Sequence, residues 1–360
     1  MHGVVIMPSL FRRCTDYSNC FMSRSARLFL RDLLCGIPVL LILSFLPLSA
    51  LAQDVALKKI RLGVASVVGD ATTIYAWHQG WFAEEGLDVE LVQNSAGAIN
   101  LRQVLKGELD IGTVAPTPIV YTAMGRSGLD PNFRIFGSIM RSTRMSNLVV
   151  LDSRKIQDVK SLKGNRIALQ QGTASEFFWH QMAIAHHLDP DTVEIVNMRT
   201  PEIPQNVGKD QFDAAIVWIP YEQELAQKAH TPAKIYNGDQ FFTTSWLTVA
   251  QPQFIADNPE VIEGFLRALL RAQNLMIEDP MTIALVQSQY VDASPEELLR
   301  FYTSATYHLG LTESLLINLT RQGDWAIRKG YVNQTIPDFS VYMDAGPLKK
   351  VTPESVMLLR

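Results

Sequence analysis

The sequence predicts an α/β protein of two lobes, each built on a mostly parallel sheet covered by helices, with two crossing strands between them. Three observations predict it. Short β-rich runs alternate with helix-period patterns as far as residue 250. The 360 residues favour two domains, yet no Pro/Gly/Ser-rich linker divides them, as expected if one domain is inserted in the other. Small polar residues, Ser66, Thr72, Thr73, Thr113 and Thr117, stand where strands should end and helices begin. Those carboxyl ends are where open α/β sheets hold ligands.

The first element is a leader. An uncharged apolar run from Leu33 to Leu48 follows Arg24, Arg27 and Arg31 and ends at Ala50-Leu51-Ala52, the pattern of a secretory signal peptide over residues 1–52. An uncleaved membrane anchor is the alternative, but the run is short for a bilayer and interrupted by Pro38 and Pro47. Met22 is a second possible start. Cys14, Cys20 and Cys35 all precede the expected cleavage. A mature chain without cysteine excludes a thiol nucleophile, a disulfide framework and a thiolate metal site together.

Expected strands then run over Ile60–Ala65, Val89–Val92, Asp110–Thr113, Arg134–Ile139, Asn147–Leu151, Arg166–Gln170, Val193–Met198, Ala214–Trp218 and Leu247–Ala250. Helices lie between them at Ile74–Glu85, Ala98–Lys106, Pro118–Met124, Ala174–His187 and Tyr221–Lys228. After residue 256 only helices are expected: one opened by Asn258-Pro259, one by Ser294-Pro295 that stops at Gly310, and one from Thr312 to Gly330. Crossings near Ser142–Asn147 and Tyr236–Ser245 would divide the chain into a discontinuous lobe, 58–141 with 246–345, and an inserted lobe, 147–236. A hinged cleft between lobes is a favoured place for a pocket.

Two strand-to-helix turns carry the chemistry. Gly172-Thr173 lets the backbone turn closely and caps a helix, so that first-turn N–H groups face outward. Thr113-Val114-Ala115-Pro116-Thr117-Pro118 makes a second helix start, with Ala115 at its head. Facing each other, the two would clamp an anionic or polar group, since a helix start carries roughly half a positive charge. Arg141 could add a bidentate fork, a solvated arginine or a hinge salt bridge being the alternative for it and for Arg144. Trp218 and Trp246 would wall the apolar part of a ligand, while Trp77, Trp81 and Trp179 are read as packing. His180 and His187 share a helix face without an acidic partner, so no metal and no cofactor is expected.

Charge excludes one class. From a formal −4, loss of five basic and two acidic leader residues leaves −7, and no basic patch suited to nucleic acid is visible. HExxH, GxSxG, P-loop and GxGxxG patterns are missing as well, so catalytic machinery is not legible.

The phrases Gly80-Trp81-Phe82-Ala83-Glu84-Glu85-Gly86-Leu87-Asp88-Val89-Glu90, Lys106-Gly107-Glu108-Leu109-Asp110-Ile111-Gly112, Ser161-Leu162-Lys163-Gly164-Asn165-Arg166-Ile167-Ala168 and Phe212-Asp213-Ala214-Ala215 follow in order along the mature chain. In series they resemble the periplasmic solute-binding proteins of the nitrate/sulfonate/taurine ABC-importer group. The resemblance implies a two-lobed periplasmic binding protein type 2 fold that captures a small anionic solute, a periplasmic location, and a membrane permease with its ATPase as partners of a monomer. By position it places the pocket at Ser66 to Thr73, Thr113 to Thr117, Arg141, Gly172 with Thr173, and Trp218. Val67 to Ala71 departs from the family's pattern. The same fold also resembles thiamine-pyrimidine synthases, whose cysteine-rich motif this mature chain would lack, and a periplasmic sensor module is a third reading. N-terminal sequencing of the exported protein should begin near Gln53; an intact apolar segment would overturn the leader assignment.

Overall fold

The computed structural model describes residues 56–358, so the expected leader and all three cysteines lie outside the described residues. The chain builds β1 (Lys58–Ala65), β2 (Leu87–Asn94), β3 (Ile111–Val114) and β4 (Arg134–Ser142), and crosses to a second sheet for β5 (Ser146–Val150), β6 (Arg166–Leu169), β7 (Glu194–Asn197), β8 (Ala214–Trp218) and β9 (Lys234–Tyr236). It returns for β10 (Thr244–Ala250), β11 (Ala305–Thr312) and β12 (Val356–Met357). The first sheet has the order β12-β11-β4-β10-β3-β1-β2, the second β7-β6-β8-β5-β9. Each sheet with its helices forms a lobe.

Helices α1 (Ala71–His78), α2 (Trp81–Glu84), α3 (Gly97–Leu105) and α4 (Pro116–Ala123) connect the first strands. Helices α5 (Ala174–Ala185) and α6 (Tyr221–Lys228) cover the second sheet. The C-terminal part adds α7 (Pro252–Asp257), α8 (Pro259–Glu278), α9 (Pro280–Gln287), α10 (Pro295–Tyr302), α11 (Glu313–Arg328) and α12 (Gly346–Val351). Among the described residues no helix is long and apolar enough to cross a membrane.

Central strands are apolar along their length because helices cover both faces, whereas β2, at a sheet edge, alternates and turns Asp88 and Glu90 outward. The pairing is mixed: β1 runs parallel to β2 and β3, and β6 to β7 and β8, while β10 is antiparallel to β3 and β4, and β5 to β8 and β9. A strand that enters a sheet directly from the other lobe, with no crossover helix, meets its neighbours in the antiparallel sense.

Two expectations need correction. Strands do not stop at residue 256, because β11 pairs antiparallel with β4. Tyr307, Leu309 and Leu311 alternate into the core, a period-two signal that the strong cap of α10 at Ser294 and Glu297 masks. Gly310 is therefore a strand residue and no helix stop; a β-carbon there would stand 3.0 Å from the Ser355 carbonyl. The expected helix Ile74–Glu85 is two helices, parted at Gly80 with φ +73°.

One apolar cluster runs from α8 through the first sheet and across the lobe boundary to Phe177 and Phe178; a smaller one around Val149 and Phe212 lies behind the second sheet. Phe265 on α8 is fully buried and stacks on Phe82, with ring centroids 5.2 Å apart. Phe265→Ala should cost ~3–5 kcal/mol in denaturant unfolding, the range for an aromatic lost from a packed core.

Candidate functional site

The site is organised by a carboxyl group that solvent does not reach. After β1 the chain turns through Val68–Asp70 into α1, and Asp70 is fully buried there. Its Oδ2 accepts the Ala65 N–H at 2.7 Å and the Thr113 hydroxyl at 2.9 Å, tying the end of β1 to that of β3. Asn100 on α3 donates to the Thr113 carbonyl at 2.9 Å and accepts from Asn94, the last residue of β2, at 2.8 Å. Three strand ends and one helix are thus pinned to one polar cluster. Burial pushes the Asp70 carboxyl up to about 7, against the pull of the Ala65 N–H, Trp246 and Thr113. Its Oδ1 has no hydrogen-bond partner, and the Trp246 indole N–H makes no hydrogen bond of sound geometry.

Beyond this cluster a cavity of about 30 Å³ lies between the lobes, room for a water or two. Val67, Ala96, Gly97, Ala98, Ala115, Pro118 and Trp246 of the first sheet's lobe face Ala174, Thr173 and Trp218 of the second, with Met145, Ser146 and Thr244 at the crossings. The starts of α3, α4 and α5 converge here. Ala96 and Ala115 precede α3 and α4 without a side-chain cap, whereas Thr173 caps Ser175 at 3.3 Å. First-turn N–H groups gathered in this way favour negative charge. Trp218 and Trp246 are 6% and 3% exposed, and neither indole N–H has a partner. No titratable side chain lines the cavity.

Trp246 owes its position to two glycines. A β-carbon on Gly69 would stand 2.7 Å from its ring, and one on Gly97 would stand 3.0 Å from its far edge and 2.7 Å from Val114 Cα. Neither glycine has a positive φ; both positions need closeness of approach, not turn geometry.

Of the residues singled out in the sequence, Ala115, Thr173, Trp218 and Trp246 meet at this cavity. The others do not line it. Ser66 accepts from Gln93 at an exposed edge, at 3.0 Å. Thr72 and Thr73 are buried in the first turn of α1, and Thr113 serves the Asp70 cluster. The Thr117 hydroxyl donates to Gln322 on α11 at 2.7 Å. Arg141, exposed beside the buried Met140 on β4, lines a separate groove of about 640 Å³, where Ser314, Asn318 and Arg321 face Phe177 and Gln181 of the second lobe. Arg144 forms the hinge salt bridge, with three bonds to Asp239 at 2.6, 2.8 and 3.1 Å. Gly172, at φ +79°, does turn the backbone, but its N–H donates to Glu176 of the same lobe at 2.8 Å. A carboxylate four residues along, on the first turn of α5, already fills that anion position.

Sequence reasoning missed Ala96-Gly97-Ala98, the third helix start, and the crossing residues Met145, Ser146 and Thr244. The Ser95-Ala96-Gly97-Ala98 run after β2 was its one legible signal. Among the described residues no group of three or more His, Cys, Asp or Glu could hold a metal ion.

A sequence profile of the family described as NMT1/THI5 like matches residues 70–283. A Brucella abortus protein with the provisional name of a binding protein, no ligand stated, is 23% identical over 291 residues, 79% of this chain and 85% of that one. The taurine-binding periplasmic protein of Escherichia coli is 24% identical over 66% of this chain and 71% of its own. The 4-amino-5-hydroxymethyl-2-methylpyrimidine phosphate synthase of Aspergillus parasiticus is 24% identical over 61% and 66%. The alkanesulfonate-binding protein of Xanthomonas axonopodis pv. citri, solved with MOPS, superposes with a TM-score of 0.68 at 14% identity, covering 79% of this chain and 98% of that one.

The Asp70 cluster has a pH signature. With the folded carboxyl raised to about 7 and an unfolded value of 3.8, the folded state holds the proton more tightly, so Asp70 costs stability progressively as pH rises from about 4 to 7. The slope is about 1.4 kcal/mol per pH unit inside that window. Asp70→Asn should flatten the melting temperature against pH between 4 and 7; a slope equal to wild type would remove Asp70 as its source.

Proposed function

This chain belongs to the NMT1/THI5-like family, and from that premise we propose that it is an extracytoplasmic solute receptor. It would hold a small organic anion of the sulfonate or taurine class between its lobes and hand it to an ABC permease and ATPase. The observation that carries the reading is the composition of the cavity wall: three helix starts and the partnerless Trp218 indole N–H offer donors, with no carboxylate among them. Such a wall selects an acceptor-rich head group, and Val67, Met145, Trp218 and Trp246 suit a short apolar arm. The taurine and alkanesulfonate relatives support the class. Because the cavity is smaller than an organic sulfonate, admission requires the lobes to part about 142–146 and 236–244, where the chain crosses between sheets.

The synthase relative makes an enzyme the second reading. Against it, no group able to act as general acid or base lines the cavity.

Thermal-shift titration of the purified protein with taurine, a short alkanesulfonate, nitrate and an aromatic acid tests the proposal, since a ligand of the native state raises the melting point. A sulfonate should give the largest shift. Trp218→Phe, which removes one indole donor, should weaken it about fivefold or more. No shift with any of the four, or turnover of a pyrimidine precursor, would replace the receptor reading.

A further inference from the structure

The carboxylate that accepts the Gly172 N–H reaches across to the other lobe. Glu176 is 6% exposed, and its Oε2 accepts both the Gly172 N–H of its own lobe and the Tyr121 hydroxyl of α4, each at 2.8 Å. Its Oε1 accepts from Arg126, just beyond α4, at 3.3 Å. Arg126 lies between two rings, 4.0 Å from the Tyr121 centroid and 3.7 Å from that of Tyr331. At the next residue, Phe177 packs on Trp325 of α11 with ring centroids 5.1 Å apart, and beyond α5 Asp191 pairs with Lys329. None of these residues lines the cavity.

We propose that Glu176, with Tyr121 and Arg126, is a latch between the lobes: a set of positioning residues that closes the cleft and so sets solute affinity without touching solute. The physics is that of an internal ligand. Glu176 gives the α5 start the negative charge it favours, and a second lobe supplies a phenol and a guanidinium that meet the same carboxylate only when the lobes are together. Burial raises the Tyr121 hydroxyl well above the usual phenol range, so it stays a donor. Beside the Phe177, Trp325 and Tyr331 rings the Glu176 side chain is 5% exposed and that of Arg126 25%, so the bonds to the carboxylate count for more than they would at a surface. Separating the lobes would exchange these bonds for bonds to water. Closure is therefore favoured by contacts made outside the cavity, and because the closed cavity is smaller than the solute, apparent affinity falls as the closed fraction that they maintain rises.

The inference rests on the receptor reading for its link to affinity, but its first test needs no solute. The full chain, wild type and with Tyr121→Phe or Glu176→Gln, is compared by small-angle scattering and by hydroxyl-radical labelling of Trp325, which is 1% exposed between the lobes. Both variants should show a larger radius of gyration and several-fold faster labelling of Trp325, with unchanged circular dichroism. Taurine, used as the probe, should then bind these variants several-fold more tightly, through a faster on-rate. Unchanged scattering and labelling in both variants would overturn the latch, and if Glu176→Gln does not fold, Tyr121→Phe alone decides. Open scattering in the variants with no taurine binding even by wild type would keep the latch and count against the ligand class alone.

Discussion

A single buried carboxyl group sets the geometry on which the rest of this structure depends. Asp70 has no solvent and accepts from the ends of two neighbouring strands, so β1 and β3 stop in register. Through Asn100 the same cluster reaches the end of β2 and the base of α3. Unpaired, a group of this kind destabilises a fold; satisfied on one oxygen from two elements, it specifies which elements end together. The cost shows in its raised proton affinity and in the partnerless second oxygen.

On that frame the cavity follows from packing. Gly69 and Gly97 let the Trp246 ring lie against two backbone segments, closer than any side chain at either position would allow. The turn around Val67 is held from elsewhere in the lobe: Gln287 on α9 donates to the Val67 carbonyl at 3.0 Å, and the Tyr307 hydroxyl on β11 to that of Val68 at 2.7 Å. The late helices and β11 thus hold a loop that borders the site, although none of their own residues lines the cavity.

Much of this was legible. The β/α alternation placed nearly every strand through residue 250 within a few residues, because buried parallel strands read as unbroken apolar runs. Trp218 was legible as the end of such a run, and Thr173 as the cap beyond another. Less legible was the direction of a side chain at the end of a strand. Thr113 and Arg141 sit where ligands bind in open sheets, yet one turns to a buried acid and the other to a second groove between the lobes, a choice of face that a single step along a strand reverses. β11 was hidden because a strong helix cap precedes it and its partner β4 lies over a hundred and fifty residues earlier.

The sequence by itself determined the α/β class, the helix starts with their glycine, threonine and proline turns, and the aromatic residues at strand ends, since all of these rest on local period and backbone preference. Tertiary structure alone decided which N–H groups are taken and by what: Gly172 by Glu176 of its own lobe, and that same Glu176 by Tyr121 and Arg126 of the other, 55 and 50 residues away in the chain. The reason is physical. A hydrogen bond between lobes depends on distance and burial once the chain has closed, and neither is encoded in the spacing of residues along it.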